Sequence, residues 1–312
     1  MITFKTFKEL KPIIKYKLDN KIHDLYRKDK VSDKFFLSVM YWIYNDRFIN
    51  WRNPSTINEK IQWTKLYNRR MAYVPMIDKL KSKDFIAERI GGEYVVPLYK
   101  VWNTPEEVEL EGLPEKFVIK CNHGSGDTYI HTGRRTPNLE EIKNFITPKF
   151  YEKFHKLSGE WLFSTIDRKV FAEAYLEDNS PLGLPDYKFF CFNGVPTYIQ
   201  VNSYRDHYAF DEEKSVVDYQ VFYDMDWNRQ EFTQGFPFTN DYDGEIPMPK
   251  NFDKMKELAA AVSEGIPFLR ADFYNLDGKI YAGEMTFYPY GGLHKFAPDG
   301  WGEKLGSMIK LY

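Results

Sequence analysis

Phe268-Leu269-Arg270-Ala271-Asp272-Phe273-Tyr274-Asn275-Leu276, then Asp277-Gly278, then Lys279-Ile280-Tyr281-Ala282-Gly283-Glu284-Met285-Thr286-Phe287-Tyr288, is two strand-forming runs around a turn pair, and predicts a β-hairpin. Its register decides what it can do. With Asp277-Gly278 as a two-residue turn, Asp272 lies opposite Gly283 and Glu284 opposite Ala271, so the two carboxylates take different faces. With Leu276, Asp277 and Gly278 as a three-residue loop, Gly278 left-handed, Arg270 pairs with Glu284 and Asp272 with Ala282. Arg270, Asp272, Glu284 and Thr286 then share one face. Asp272 and Glu284 become diagonal neighbours at roughly 7 Å, close enough to hold or bridge hard divalent cations through oxygen. The plainer reading is a surface hairpin with a cross-strand Arg–Glu ion pair, worth under ~1 kcal/mol.

A second pattern lies upstream. Phe117-Val118-Ile119-Lys120-Cys121 reads as a strand running into His123-Gly124-Ser125-Gly126-Asp127, with strand character resuming at Tyr129-Ile130. A lysine at a strand end beside free backbone N–H groups of a glycine loop suits phosphate oxygens. It is not a Walker loop, because the lysine precedes the glycines. Taken alone it equally describes a simple hairpin connection. His123, within the loop, is a further candidate phosphate donor.

The remaining elements follow from local signals. Residues 1 to 50 form a basic helical arm carrying Lys8, Lys11, Lys15, Lys17 and Lys21 beside Ile13, Ile14 and Leu18. That pattern suits a solvated face, or contact with an anionic acceptor or a membrane surface. Thr56-Ile57-Asn58-Glu59 has capping-box spacing and starts a helix. Helices are expected over 75 to 90, over 139 to 146 with Pro148 ending it, and over 253 to 264. Strands are expected over 94 to 101 and 170 to 176, and a hairpin over 186 to 201 around Asn193-Gly194.

Composition excludes several classes. The chain has 312 residues, 43% apolar and 28% charged, enough for one large domain or two ordinary ones. Lys plus Arg total 43 against 45 Asp plus Glu, so there is no general field for nucleic acid and any anion site is local. Cys121 and Cys191 are the only cysteines, which indicates neither a zinc site nor a disulfide framework and fits a reducing cytoplasm. The N-terminus has no apolar leader, and the longest apolar stretch, Phe35 to Tyr44, is about half of what a membrane span needs.

In order along the chain stand a lysine with a glycine loop, the strand end Glu173-Ala174-Tyr175-Leu176, and a carboxylate hairpin. This series resembles the ATP-grasp superfamily. More narrowly, Asp78-Lys79, Phe117 to Gly126, Ser158-Gly159-Glu160-Trp161, Asp186 to Gly194 and Gly283-Glu284-Met285-Thr286-Phe287-Tyr288-Pro289 resemble the TupA-like ATP-grasp family from about residue 50 to the end. The resemblance implies an α+β fold in which two β-rich subdomains clasp ATP. A helical arm (1–75) comes first, then a small subdomain with the glycine loop (76–169) and a large one with the metal site (170–312).

It further implies Lys79 and Lys120 on the phosphates, with Gly124, Ser125 and Gly126 closing over them. Glu173 and Leu176 would frame the adenine, and Glu177 would meet the ribose. Lys188 and Arg270 would face the transferred phosphate. Asp272, Glu284 and Thr286 would hold one or two Mg2+ ions. Ala174 stands where the superfamily often has lysine, and Thr286 where it often has asparagine. Implied partners are a carboxylate and an amine, carbohydrate-linked, in cell-surface polysaccharide or capsule synthesis on the cytoplasmic side, with peripheral membrane contact through the arm. Tyr288, Tyr290, Gly291, Gly292 and His294 are the candidate acceptor loop.

Two other classes compete. Asp224-Met225-Asp226 after an apolar run suggests a glycosyltransferase metal pair, or simply two solvated turn acids. A carbohydrate-binding protein without catalysis is the third. Arg205 is a further candidate anion contact, whereas His131 and His207 read as structural.

Overall fold

The computed structural model describes residues 4–177, 184–203, 219–235 and 244–311, with the backbone alone at 4–10, 203 and 219. Arg205, His207 and the Phe236-Pro237 turn lie outside the described residues, as does the side chain of Lys8.

Helices α1 (Phe4–Arg27), α2 (Asp33–Asn45) and α3 (Ile57–Tyr67) form the N-terminal part. The apolar stretch at 35 to 44 is α2, which buries Phe36, Leu37, Met40 and Ile43 in one cluster with Ile22 and Tyr26 of α1. The basic face of α1 is partly neutralised internally, since Lys11 and Lys15 both pair with Asp46 at 2.7 and 2.5 Å. The capping box forms at α3: Glu59 N donates to Thr56 Oγ1 at 3.1 Å, and Thr56 N to Glu59 Oε2 at 3.2 Å. No helix among the described residues is long and apolar enough to cross a membrane.

The helix expected over 75 to 90 is broken into α4 (Val74–Ile77) and α5 (Lys81–Arg89). Asp78 is the cause. Its carboxylate accepts from Leu80 N and from Asn122 Nδ2, both at 3.0 Å, while Lys79 N donates to Asn122 O at 3.0 Å. The break ties these residues to the strand before the glycine loop.

Strands β1 (Leu98–Trp102), β2 (Phe117–Cys121), β3 (Thr128–His131) and, beyond two intervening helices, β4 (Val170–Ala174) make an antiparallel sheet ordered β1-β4-β2-β3. The first sheet therefore takes a strand from beyond residue 169. Of those helices, α6 (Leu139–Tyr151) packs Ile142, Ile146 and Phe150 on β2 and β3, and α7 (His155–Ser158) is one turn. Pro148 does not end α6. It removes one N–H near the helix end, while burial of Phe150 holds the last turn.

The second sheet has β5 (Asp186–Phe192), β6 (Val195–Ser203), β7 (Tyr219–Asp224), β9 (Phe268–Leu276) and β10 (Lys279–Thr286), ordered β10-β9-β5-β6-β7; β8 (Thr233–Gln234) pairs with β11 (Phe296–Ala297). Helix α8 (Phe252–Ser263) lays Met255, Leu258, Ala259 and Val262 on this sheet, over the largest core. The fold is α+β, two β-rich units preceded by helices.

Helix α9 (Trp301–Ser307) closes the chain against α3. A Cβ built on its Gly306 would lie 2.1 Å from Ser55 O, which is backbone and cannot rotate away. Gly306→Ala is expected to lower the denaturation midpoint, by about 1–3 kcal/mol or more of overpacking.

The deciding hairpin differs from both registers expected of it. Leu276 pairs with Lys279, so the turn has two residues, with Asp277 and Gly278 at φ 47° and 95°. Pairing then runs to Ala282 opposite Phe273, skips Gly283, and resumes with Glu284 opposite Asp272 and Thr286 opposite Arg270. A bulge at Gly283 does what a three-residue loop was expected to do. Glycine suits it, because a Cβ there would sit 2.8 Å from Tyr274 Cε2.

Candidate active site

Lys188 on β5 pairs with Asp272 on β9, which pairs with Glu284 on β10, so three charged residues stand in one row across the second sheet. Asp272 is 4% exposed and accepts from Arg270 Nε and Nη2 at 2.8 and 2.7 Å and from Lys188 Nζ at 3.0 Å. Burial opposes its charge, but Arg270 and Lys188 outweigh burial and hold the carboxyl below its usual range. Lys188 also approaches Asp186 Oδ2, at 3.3 Å. Glu284 is half-buried and makes no hydrogen bond or ion pair among the described residues.

Opposite this row stands the first sheet. Glu173 Oε1 accepts from Lys120 Nζ at 2.5 Å and its Oε2 from Lys83 Nζ at 2.7 Å. Burial alone would raise the Glu173 carboxyl, but Lys120 and Lys83 hold it at about 2. A folded value below the unfolded ~4.3 stabilises the protein fully above about pH 4.3, and the stabilisation disappears as pH falls through about 2. The gap corresponds to about 3 kcal/mol. Denaturant titrations between pH 6 and 2.5 are expected to show a steeper acid loss in the wild type than in Glu173→Gln; parallel curves would remove this assignment.

The glycine loop hangs between the sheets. Gly124 and Gly126 have φ of 94° and 70°, which side chains disfavour. Lys79 holds the loop, donating to Gly124 O at 3.0 Å and Asp127 Oδ1 at 2.6 Å.

Between the sheets lies a cavity of about 980 Å3. Val96, Val118, Ile130 and Leu176 supply apolar lining, and Lys120, Lys188, Asp186, Asp272 and Glu284 are among its charged residues. Glu173, Ser125 and Gly126 line it too. Lys79 and Lys83 line an adjoining cavity behind the loop. A larger space of about 2120 Å3, part of it open solvent, lies on the other side, between the loop, Arg270, Glu284, Thr286, Tyr288, Tyr290 and Gly291. All three spaces share Ser125, Gly126 and Glu284.

The structure therefore brings together the predicted Lys120, Gly124, Ser125, Gly126, Glu173, Leu176, Lys188, Arg270, Asp272, Glu284 and Thr286, with Lys79 behind the loop. It does not bring in Glu177, which is exposed and paired with Lys116 at 2.5 Å away from these cavities. His123 points away from the loop: it is buried, its Nε2 lies 3.1 Å from Phe150 O, and burial, aided by Arg168, pulls it down to about 4. Asp224 caps its own turn, accepting from Asp226 N at 3.0 Å and Asn228 N at 2.8 Å. Sequence reading missed Lys83, four residues after Lys79, and Asp186, whose signal was only its place two residues before Lys188.

Hard-cation ligands would be Asp272 and Glu284, with Thr286 beside them. Among the described residues no group of three or more His, Cys, Asp or Glu has metal-holding geometry. Two carboxylates nevertheless suit Mg2+, which keeps waters and takes its remaining oxygens from phosphates. Glu284, directly opposite Asp272 and otherwise unpartnered, fits that role.

Among solved structures the chain is similar to D-alanine–D-alanine ligase from Bacillus anthracis complexed with ATP, at 14% identity and TM-score 0.38, over 75% of this chain and 63% of that one. It is also similar to D-alanine–D-alanine ligase from Helicobacter pylori, at 12% identity and TM-score 0.45, over 82% and 70%. A third is the ATP-grasp ligase PsnB complexed with minimal precursor, Mg and ADP, at 12% identity and TM-score 0.35, over 74% and 58%. The chain spans less than two thirds of the length of the first of these. A search of curated proteins found no match. The profile of the TupA-like ATPgrasp family matches residues 59–310, most of the chain, and on that match the protein belongs to the TupA-like ATP-grasp family.

Proposed function

We propose that the protein is an ATP-dependent carboxylate–amine ligase that forms an amide through an acyl phosphate. The observation that carries the reading is the cavity between the sheets. Aliphatic side chains suit a nucleobase there, and Lys120 and Lys188 with the Asp272 and Glu284 carboxylates suit a metal-bound triphosphate. Mg2+, when bound by Asp272 and Glu284 with Thr286 near, would neutralise phosphate charge.

The chain's own residues do the rest. Glu173 fixes the Lys120 ammonium at the cavity wall, where it meets phosphate oxygens as a preorganised charge. Lys188 and Arg270 are held rigid by Asp272 and are aimed at the transferred phosphate. Phosphoryl transfer needs positioning and charge more than a dedicated nucleophile. The glycine loop, tethered by Lys79, excludes water from a hydrolysable acyl phosphate. Glu173 and Leu176 frame the base.

The carboxylate is a uronic acid or amino acid of a cell-surface polysaccharide or its precursor, and use of ATP places the reaction in the cytoplasm. Ile13, Ile14 and Tyr16, exposed on the basic arm, suit contact with the inner membrane face or with the acceptor. ATP with Mg2+ is expected to stabilise the protein by about 2.7 kcal/mol at a hundredfold excess over its Kd, and uridine sugar nucleotides to have no effect. Lys120→Ala is expected to lose both the ATP shift and acceptor-dependent ADP release; a variant that kept both would remove Lys120 from the site.

A further inference from the structure

The larger cavity contains a carboxylate that nothing so far employs. Glu160 is 8% exposed and lines that cavity. Its Oε1 accepts from Ser158 Oγ at 2.6 Å. Its Oε2 has no hydrogen-bond partner, and no cation lies within ion-pair distance of either oxygen, among the described residues.

The nearby buried cation is committed elsewhere. Lys65, completely enclosed, donates to Ser158 O and Gly291 O, both at 2.7 Å, and so pins the two segments that flank Glu160. Three more side chains of the N-terminal helices fix the same strip of backbone. Gln62 donates to Gly291 O at 2.8 Å, Asn58 to Gly292 O at 3.0 Å and His294 O at 2.8 Å, and Asn45 to Leu293 O at 3.0 Å. The wall is rigid, and its acid feels Lys65 only at longer range, with no cation in direct contact among the described residues.

We infer that Glu160, oriented by Ser158, receives the ammonium group of the incoming amine and takes its proton, which makes the larger cavity the half-site for a primary amine. The inference rests on the ligase reading and names its second substrate. Sequestering a carboxylate without a cation is costly, and an ammonium with three donors removes that cost. Burial also pushes the Glu160 carboxyl up, in the direction a general base needs.

The step balances as follows. One ammonium proton passes to Glu160, and the freed nitrogen pair forms the C–N bond at the acyl carbon. The C–O bond to phosphate breaks, and its electron pair leaves with the phosphate. The nitrogen's second surplus proton goes to that phosphate.

The test uses the full chain with ATP, Mg2+ and glucuronate, comparing two nucleophiles: glycinamide, mainly an ammonium ion at pH 7, and hydroxylamine, mainly neutral there. Glu160→Gln is expected to lower amide formation with glycinamide about a hundredfold while hydroxamate formation stays within about twofold. Unchanged amide formation, or a hydroxamate rate that falls as far as the amide rate, would overturn the assignment. Saturation-transfer NMR of glycinamide on the ATP-free protein needs no carboxylate substrate, and its signal is expected in the wild type and lost in Glu160→Gln. A signal of equal size in both would also overturn it. If wild type forms neither product but the NMR signal depends on Glu160, the ammonium site stands and the uronate-ligase reading fails. Should Glu160→Gln not fold, Ser158→Ala carries the same test, with an expected amide-selective loss of about tenfold.

Discussion

Glu284→Gln is expected to lower acceptor-dependent ADP release by about a hundred- to a thousandfold while shifting the unfolding free energy by no more than about 0.5 kcal/mol. Both halves follow from one geometry. Glu284 is half-buried, pairs with nothing among the described residues, and stands where the three cavities meet. Its charge therefore serves only what enters from solution. Steady-state ADP assays beside urea denaturation measure the two effects, and an active variant would take the cation site apart. Loss of stability equal to loss of activity would show a structural carboxylate instead.

Asp272→Ala is expected to behave in the opposite way, costing about 3–5 kcal/mol of folding stability as well as activity. Removing this acid leaves the Arg270 guanidinium and the Lys188 ammonium buried and facing each other without their shared counter-charge. Burial opposes the charge of both cations, yet the neighbouring acids, Asp272 among them, hold both above their ordinary values. Arg270 would retain its bond to Thr286 Oγ1 at 3.1 Å, and Lys188 its contact with Asp186. Neither replaces a carboxylate at 4% exposure. A denaturation midpoint equal to the wild type's would refute the account. Two acids directly opposite one another thus separate cleanly, one holding the wall together and the other left for the ligand.

Much of this was legible because it is local. Thr56 with Glu59, Asn193-Gly194 and Asp277-Gly278 are signals whose physics lies within four residues; the capping box and both hairpins formed, the last in a register that neither expectation gave. The order of lysine, glycine loop and acid hairpin marked the family for the same reason. What stayed hidden depends on distant partners. Lys83 gains its meaning from Glu173, ninety positions along, and the break at Asp78 from Asn122. Pro148 looked like a terminator because the buried anchor beyond it, Phe150, is visible only once α6 lies on its sheet. Glu160 carries no signal of its own within Ser158-Gly159-Glu160-Trp161, since nothing in a linear string shows that an oxygen lacks a partner.

The skipped residue in the last hairpin fixes an arithmetic of length. Side chains alternate along an extended chain, and from the turn to the acids β10 carries one residue more than β9; leaving Gly283 unpaired absorbs the surplus, so Glu284 arrives opposite Asp272. Composition of the connecting tip is then free to drift, whereas one further residue paired within β10, with Gly283 still skipped, would set Glu284 opposite Ala271 and turn it to the other face. Deleting Gly283 alone would instead leave a continuous ladder with Glu284 still opposite Asp272. Length is therefore adjustable at that one position and fixed at its paired neighbours.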